Sequence, residues 1–562
     1  MSKRITYKGE KEMPPFAISE GHMNWNKTGA WSYVNPIHKD NLSPCNYACP
    51  AREDIQGYIQ LVLKEKYREA WEKIRETNPL PSVCGRVCYH PCEHNCNRKE
   101  YDEAVSIHYI ERFIGDWGLK NAKIKRLKTD PSKGEVAVIG AGPAGLSCAY
   151  HLIRAGHPVT IFDSMPKAGG MLRIGIPEYR LPRKILDAEI KSILDLGIKF
   201  VPRTEIGIDL PFSELNKFAA TFIAVGAHKS KRMGIPGEDI SGILPGLTFL
   251  RDVNFGKRPK LRGKVAVIGG GNTAIDVARC VLRLGGKPLI LYRRSYEEMP
   301  AIREEIHEAE HEGIEIQFLT APLEIRKRGR MLSLTTQKMK LGGKDSSGRR
   351  RPVPVKGSEI TTPYSMILTA IGEDPNIAFL PEDLRHESWG IETDEAQRTS
   401  MDDVFAGGDA GIDKRAVTDA VGAGHRAATA ISQHLAGRDV AIQEIDLAVT
   451  HLNDLRLDYF DTSRSVNKKK ISDTVRPKSF REVNIGLGER DAEAEANRCF
   501  SCGVCNSCDN CWIYCPDIAI SRSNGKYTVN YDYCKGCGIC VNECPRSAIH
   551  LEVKQADGKE VK

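Results

Sequence analysis

Apolar and polar residues follow different periods in different parts of this chain. The stretch from Glu53 to Glu76, "EDIQGYIQLVLKEKYREAWEKIRE", repeats apolar residues at helical spacing. This predicts helix, with Tyr58, Leu61, Trp71 and Ile74 turned to a core. From 135 to about 440, short apolar runs, glycine turns and amphipathic runs alternate, as strands and helices do in α/β layers. Within that span, 322–360 is basic and rich in glycine and proline, which predicts a hairpin insertion at the surface. Residues 441–497 are highly charged, carry only short apolar pieces and read as a long connector. The first residues, "MSKRITYKGEKE", lack the apolar core of a signal peptide, and no run of eighteen apolar residues occurs. The expectation is a cytoplasmic protein that does not cross a membrane.

Two segments share one plan. "EVAVIGAGPAGLSCAYHLIRAGHPVTIFD" reads as strand, turn through Gly140, Gly142 and Gly145, helix, and a second strand ending at Asp163. The first glycine permits a tight turn, the second lets backbone approach a pyrophosphate, and the third lets helix pack on strand. Asp163 stands where an acid binds ribose hydroxyls. "KVAVIGGGNTAIDVARCVLRLGGKPLILYRRS" repeats the plan with Gly269, Gly271 and Ala274, and Asn272 and Thr273 open its helix. Here Arg293 and Arg294 replace the acid. An acid would repel a 2′-phosphate and a guanidinium binds it, so this second site should favour NADPH over NADH. Two such units in one chain predict FAD reduced by a nicotinamide. "TSMDDVFAGGDA" adds Gly408 and Asp409, a turn suited to bringing a carboxylate to the flavin's ribityl chain, before a helix whose amino end could face the flavin.

The chain has eighteen cysteines, sixteen of them within 45–49, 84–96 and 499–544. A reducing compartment disfavours structural disulfides, so metal or iron–sulfur ligation is the natural reading. "CNSCDNCWIYCP" and "CKGCGICVNECP" are both C-x2-C-x2-C-x3-C-P, the run of two-cluster ferredoxins, in which each fourth cysteine serves the other cluster. One [4Fe–4S] cluster should take Cys505, Cys508, Cys511 and Cys544. The other should take Cys534, Cys537, Cys540 and Cys515. A zinc ribbon normally separates its pairs and fits less well. The formal charge of +8 does not point to nucleic acid. Fifteen thiolates around four cores of about +2 would contribute about −7, and a dinucleotide pyrophosphate roughly −2 more. Basic runs such as 348–352 and 467–470 then read as solvated loops.

The order of these parts resembles a known family: the small subunit of NADPH-dependent glutamate synthase and the electron-input half of dihydropyrimidine dehydrogenase. The likeness runs from about 40 to 510. It rests on "CGRVC" (84–88), "IERF" (110–113), "GAGPAGL", "GGMLRIGIPEYRLP" (169–182), "GIPGED", "GGGNTAIDVAR", "YRRSYEEMPA" and "FAGGDA". The resemblance implies FAD and NADPH in a glutathione-reductase-like arrangement, with Gly170, Met171, Leu172 and Arg173 among the FAD contacts. It also implies two [4Fe–4S] clusters in an amino-terminal helical domain. The family's first motif is R-C-x-x-C-G followed by C-x-x-x-C-P. Here the second half is "CNYACP", and the first half is absent from the amino terminus but present as "RCFSCG" at 498–503. Cys499 and Cys502 therefore become candidates to complete a cluster with Cys45 and Cys96, in cis or by exchange in a swapped dimer. The other cluster would take Cys49, Cys88 and Cys92, with Glu111 or else Cys84 as fourth ligand. Cys148 and Cys280 read as buried apolar residues.

The expected architecture is α/β with added small domains. A helical iron–sulfur domain (1–130) precedes the first part of an FAD domain (131–255), an NADPH domain (256–375) and the rest of the FAD domain (376–440). A connector (441–497) and an α+β ferredoxin domain (498–562) follow. No acid–base or nucleophile constellation stands out, so the cofactors carry the chemistry. The expected function is NADPH:acceptor or ferredoxin oxidoreductase, passing electrons among NADPH, FAD and four [4Fe–4S] clusters, in either direction. The partner would be ferredoxin or a larger redox subunit, of 2-oxoacid oxidoreductase, sulfite reductase or glutamate synthase type. The glutamate synthase small subunit itself is the alternative, which the added ferredoxin module argues against. A docking protein without redox activity is the reading from another class.

Overall fold

A computed structural model describes residues 9–12, 27–411, 415–440 and 447–554. They divide into two units. The larger holds described residues from Cys45 to 440 and from Ser463 to Cys499, and the smaller holds the rest.

The larger unit begins with short helices. The expected helical stretch is two helices, Ile55–Val62 and Tyr67–Ile74, because Glu65 turns the chain at φ 56°. Asp54 starts the first by accepting from the Gly57 amide at 3.0 Å. Tyr58, Trp71 and Ile74 are buried, whereas Leu61 is half-buried. Pro81–Val87 packs on Ile107–Asn121, and a Cβ at Gly115 would come 2.5 Å from the Ser82 nitrogen, so only glycine permits that approach.

Two parallel five-stranded sheets follow. The first has the order Val404–Ala406, Ala220–Ile223, Val136–Ile139, Val159–Asp163, Lys199–Pro202. Pro143–Arg154 and Val417–Leu435 pack together in the core that covers it. The second has the order Glu315–Gln317, Lys287–Leu291, Lys264–Ile268, Met366–Thr369, Ile243–Pro245. Asn272–Arg283 lies on one of its faces. The expected insertion is an antiparallel sheet of Thr320–Arg328, Met331–Lys344, Arg350–Pro354 and Ile360–Tyr364. It packs on the other face through Ile325, Leu334 and Tyr364.

The stretch read as a connector is a fixed strap over 463–499. Lys470 Nζ lies 2.5 Å from Glu308, Arg283 Nε donates to the Ser479 carbonyl at 3.0 Å, and the Val483 amide donates to Tyr179 O at 2.9 Å. Glu482 then pairs with Arg86 at 2.7 Å and Arg112 at 2.9 Å. The strap ends in helix Glu489–Asn497, whose Ala492 and Ala496 are buried and whose Glu495 accepts from the Ser106 amide at 2.7 Å.

In the smaller unit, Val34–His38 runs antiparallel to Ile549–Val553. The domain expected over 1–130 is therefore divided in space, because residues before Cys45 supply an edge strand to the carboxy-terminal module. Ile520–Ser523 and Lys526–Val529 form a hairpin, and Cys511, Ile520, Cys540 and Ile549 make the core. No helix among the described residues is long and apolar enough to cross a membrane.

Candidate functional site

Both glycine turns open onto one cavity of about 390 Å³, within the size range of small-molecule sites. Gly140, Gly142, Gly170, Met171, Asp163, Gly408 and Asp409 line it from the first sheet. Gly271, Asn272 and Thr273 line it from the second. The glycines divide their work as their spacing predicts. Gly140 takes φ 102° and Gly269 φ 148°, values that L side chains rarely adopt. A Cβ at Gly145 would meet Gly140 O at 1.9 Å, so this glycine serves packing, and buried Ala274 stands at the matching place in the second turn. A Cβ on Gly142 would find only Gly170 Cα, at 3.9 Å, and one on Gly271 would find nothing within 4 Å. Protein packing does not require those two glycines. They leave bare backbone where a pyrophosphate could approach. Helices begin at Pro143, Asn272 and Val417, and the residues at these starts line the cavity, offering positive dipole ends and, Pro143 excepted, amides to an anion.

Asp163 accepts from the Ala141 and Met165 amides, each at 2.7 Å. Burial nevertheless raises its carboxyl above the ordinary range. Asp409 is pushed up to about 6 by burial, with Arg415 opposing and Asp419 adding to the shift. Leu172 and Arg173 do not line the cavity. Both are buried behind it, with Arg173 Nε donating to Ala168 O at 2.6 Å and Nη2 lying 2.5 Å from Asp187. The two arginines after the second motif part company. Arg294 is buried, 2.5 Å from Asp345 of the insertion, and donates to Arg350 O at 2.8 Å, while Arg293 is exposed.

Several cavity residues had no sequence signal strong enough to find them. Arg180 and Asp276 face each other across the two sheets at 2.8 Å, and Glu305 holds Arg180 from behind at 3.0 Å. Arg180 and Asp276 both fall within stretches that carry the family resemblance, but nothing local singles them out there. Val87 and Tyr89 also line the cavity, which places both neighbours of Cys88 on its wall.

Cys88 sits among other candidate ligands. Burial pushes its thiol up to about 12, with the Thr418 hydroxyl opposing and Glu111 adding. Burial also raises Cys49, beside Glu53, Cys88 and Glu111, and Cys92, beside Glu93, Cys88, Cys49 and Cys45. Glu111 and Glu53 both accept from Asn78 Nδ2, at 3.0 and 2.8 Å, and their shared burial raises both carboxyls. Glu53 is thus a second buried carboxyl beside these thiols, absent from the sequence reading. Cys84 is buried 3.7 Å from Asn78 Oδ1. Cys49, Cys88 and Cys92 are neighbours of one another, with Glu111 beside Cys49 and Cys88, and soft sulfur ligands of this kind suit an iron–sulfur centre. Cys45, Cys96 and Cys499 border one core, and Arg98 ties the strand of chain after Cys96 to the Arg498 carbonyl. Cys502 lies in the smaller unit.

In that smaller unit the ferredoxin cysteines lie near one another. Cys511 is pushed up to about 12 by burial, and Cys505, Cys508, Cys540 and Cys544 add to it. Cys540 is likewise pushed up to about 12, beside Cys534, Cys537 and Cys515. Cys505 has Cys544 and Cys508 as neighbours, and Cys534 has Cys515 and Cys537.

Comparison with known proteins agrees with these parts. A family model for pyridine nucleotide-disulphide oxidoreductases matches residues 134–446. One for dihydropyrimidine dehydrogenase domain II, 4Fe-4S cluster, matches 39–123, and one for a 4Fe-4S binding domain matches 527–550. The NADP(+)-dependent formate dehydrogenase subunit beta of Moorella thermoacetica is 40% identical over 499 residues, 82% of this chain and 70% of that one. The NADPH-Fe(3+) oxidoreductase subunit beta of Geobacter sulfurreducens is 36% identical over 82% of this chain and 75% of its own. The glutamate synthase [NADPH] small chain of Halomonas elongata is 35% identical over 70% of this chain and 88% of its own.

Proposed function

We propose a function from one premise: the chain belongs to the pyridine nucleotide-disulphide oxidoreductase family. It is an NADPH-dependent iron–sulfur flavoprotein that passes electrons between the nicotinamide, FAD and [4Fe–4S] clusters, as a subunit serving a larger redox enzyme. The observation that carries this reading is the shared cavity. One space is lined by both glycine turns and by the two neighbours of Cys88. A flavin there would lie between a nicotinamide and a cluster.

When bound, FAD would supply the conversion of one hydride from NADPH, an electron pair with its proton, into electrons released singly. The chain's residues bind and orient. Gly142 and the helix start after it would receive the FAD pyrophosphate, Asp163 the ribose hydroxyls, and Asp409 the ribityl chain. Gly271, Asn272 and Thr273 would receive the NADPH pyrophosphate. Exposed Arg293 would meet the 2′-phosphate, whereas Arg294 is held by Asp345. Four clusters would use the two ferredoxin sets, the set of Cys49, Cys88, Cys92 and Glu111, and the set of Cys45, Cys96, Cys499 and Cys502.

Anaerobically purified protein should hold about sixteen iron atoms and one FAD per chain, four irons to each cluster. NADPH should bleach the flavin band in the absence of oxygen, and NADH should do so far more slowly. About eight irons after full reconstitution would remove the four-cluster reading, and an unbleached flavin the NADPH reading.

A further inference from the structure

Thr418 is the second residue of the Val417–Leu435 helix and is buried. A hydroxyl taken out of water costs free energy unless it finds a partner. Thr418 Oγ donates to Cys88 Sγ at 2.8 Å. A second donor, the His90 amide, reaches the same sulfur at 3.3 Å. The next residue of the helix, Asp419, is hydrogen-bonded to the Tyr89 hydroxyl, which fixes the Cys88 segment against this helix turn. The same turn lines the flavin cavity through Ala416, Val417 and Ala420, and Val87 and Tyr89 line it on either side of Cys88. One turn of helix thus touches the cavity on one side and the cysteine sulfur on the other.

We propose that Thr418 sets the reduction potential of the cluster that Cys88 holds, by donating a hydrogen bond to the Cys88 sulfur. This rests on the reading of Cys88 as a cluster ligand. On reduction the cluster gains one electron. No bond to Thr418 forms or breaks, and its proton stays on Oγ. The added negative charge spreads onto the ligand sulfurs, so a donor to sulfur stabilises the reduced form more than the oxidised one. The hydroxyl therefore makes this cluster a readier acceptor for electrons leaving the flavin. Thr418 is a positioning residue acting through Cys88, and its contribution is a potential.

Thr418→Val removes the hydroxyl and keeps the side chain's shape; Thr418→Ser keeps the hydroxyl. Both would be compared with the wild type in the full chain loaded with FAD and clusters, by iron analysis and by redox titration followed with electron paramagnetic resonance. We expect full iron in both variants. In Thr418→Val one cluster should lose about tenfold in its reduction equilibrium, a fall of about 59 mV for a one-electron couple, while the others stay fixed. Thr418→Ser should remain close to wild type. An unchanged set of potentials in an iron-replete Thr418→Val would overturn the proposal. So would loss of one cluster from that variant alone, since the hydroxyl would then hold the cluster and not tune it. Cys88→Ala separates this from the reading beneath it. Full iron in Cys88→Ala removes Cys88 as a ligand and the proposal with it. Loss of one cluster there, beside an unmoved potential in Thr418→Val, removes the tuning role alone.

Discussion

At the scale of single residues, the glycine turns were legible because each glycine answers a different local demand, and only one of those demands concerns a ligand. Gly145 is fixed by a backbone contact and Gly142 by its absence. The arginine pair was only half legible. "RR" carries no sign that Asp345, some fifty residues on, will claim Arg294 and leave Arg293 outside. Arg293→Ala should therefore weaken NADPH binding about 10–150-fold, the worth of a charge-assisted bond, and leave NADH use nearly unchanged. Steady-state kinetics with each coenzyme checks this; equal losses would place Arg293 away from the phosphate. Asp409 gives a pH-dependent test. Its raised proton affinity means that burial penalises the carboxylate. That penalty is absent below the ordinary carboxylate range and full above about pH 6. In flavin-free protein, Asp409→Asn should be the more stable form at pH 7, by on the order of 1–2 kcal/mol. The gap should narrow toward pH 5 in denaturant titrations. The same substitution should weaken FAD retention.

At the scale of elements, the strands and helices of the two nucleotide-binding layers follow their periodicity closely, since each is built from local sequence. The strap over 463–499 was not legible. Its polar residues look solvated in the sequence, but Glu482 is gripped by Arg86 and Arg112, whose side chains are only 3% and 6% exposed. The partners lie more than 350 residues earlier, and no local pattern announces them. Glu482→Ala would leave two nearly buried guanidinium groups short of a counter-charge. Asp116 still pairs with Arg86 at 2.8 Å, so the loss should fall at or below the roughly 3–5 kcal/mol usual for a broken buried pair. Thermal unfolding should move down, and limited proteolysis should cut first within 463–486. An unchanged cleavage pattern would mean that Lys470 and the backbone bonds hold the strap without Glu482.

At the scale of the whole molecule, the ferredoxin cysteines stand out by a spacing that cluster chemistry dictates, whereas a cluster shared by Cys499, Cys45 and Cys96 rests on a missing half-motif. Two truncations probe it. A chain ending at Gly503 should lose both ferredoxin clusters and keep about eight irons. One ending at Ala496 should keep about four, since Cys499 and Cys502 go with it. Equal iron in the two would assign these cysteines another task. The pairing of Val34–His38 with Ile549–Val553 has a further consequence, for the order of events during synthesis. The two strands are far apart along the chain, at Val34–His38 and at Ile549–Val553, so the first leaves the ribosome well before the second. At about 5–20 residues per second they are separated by roughly 25–100 s. The larger unit's nucleotide-binding layers, which lie between them in sequence, can form in that interval. The smaller unit cannot close this sheet until Ile549–Val553 has been made, so its two strands wait for each other while the larger unit's layers take shape.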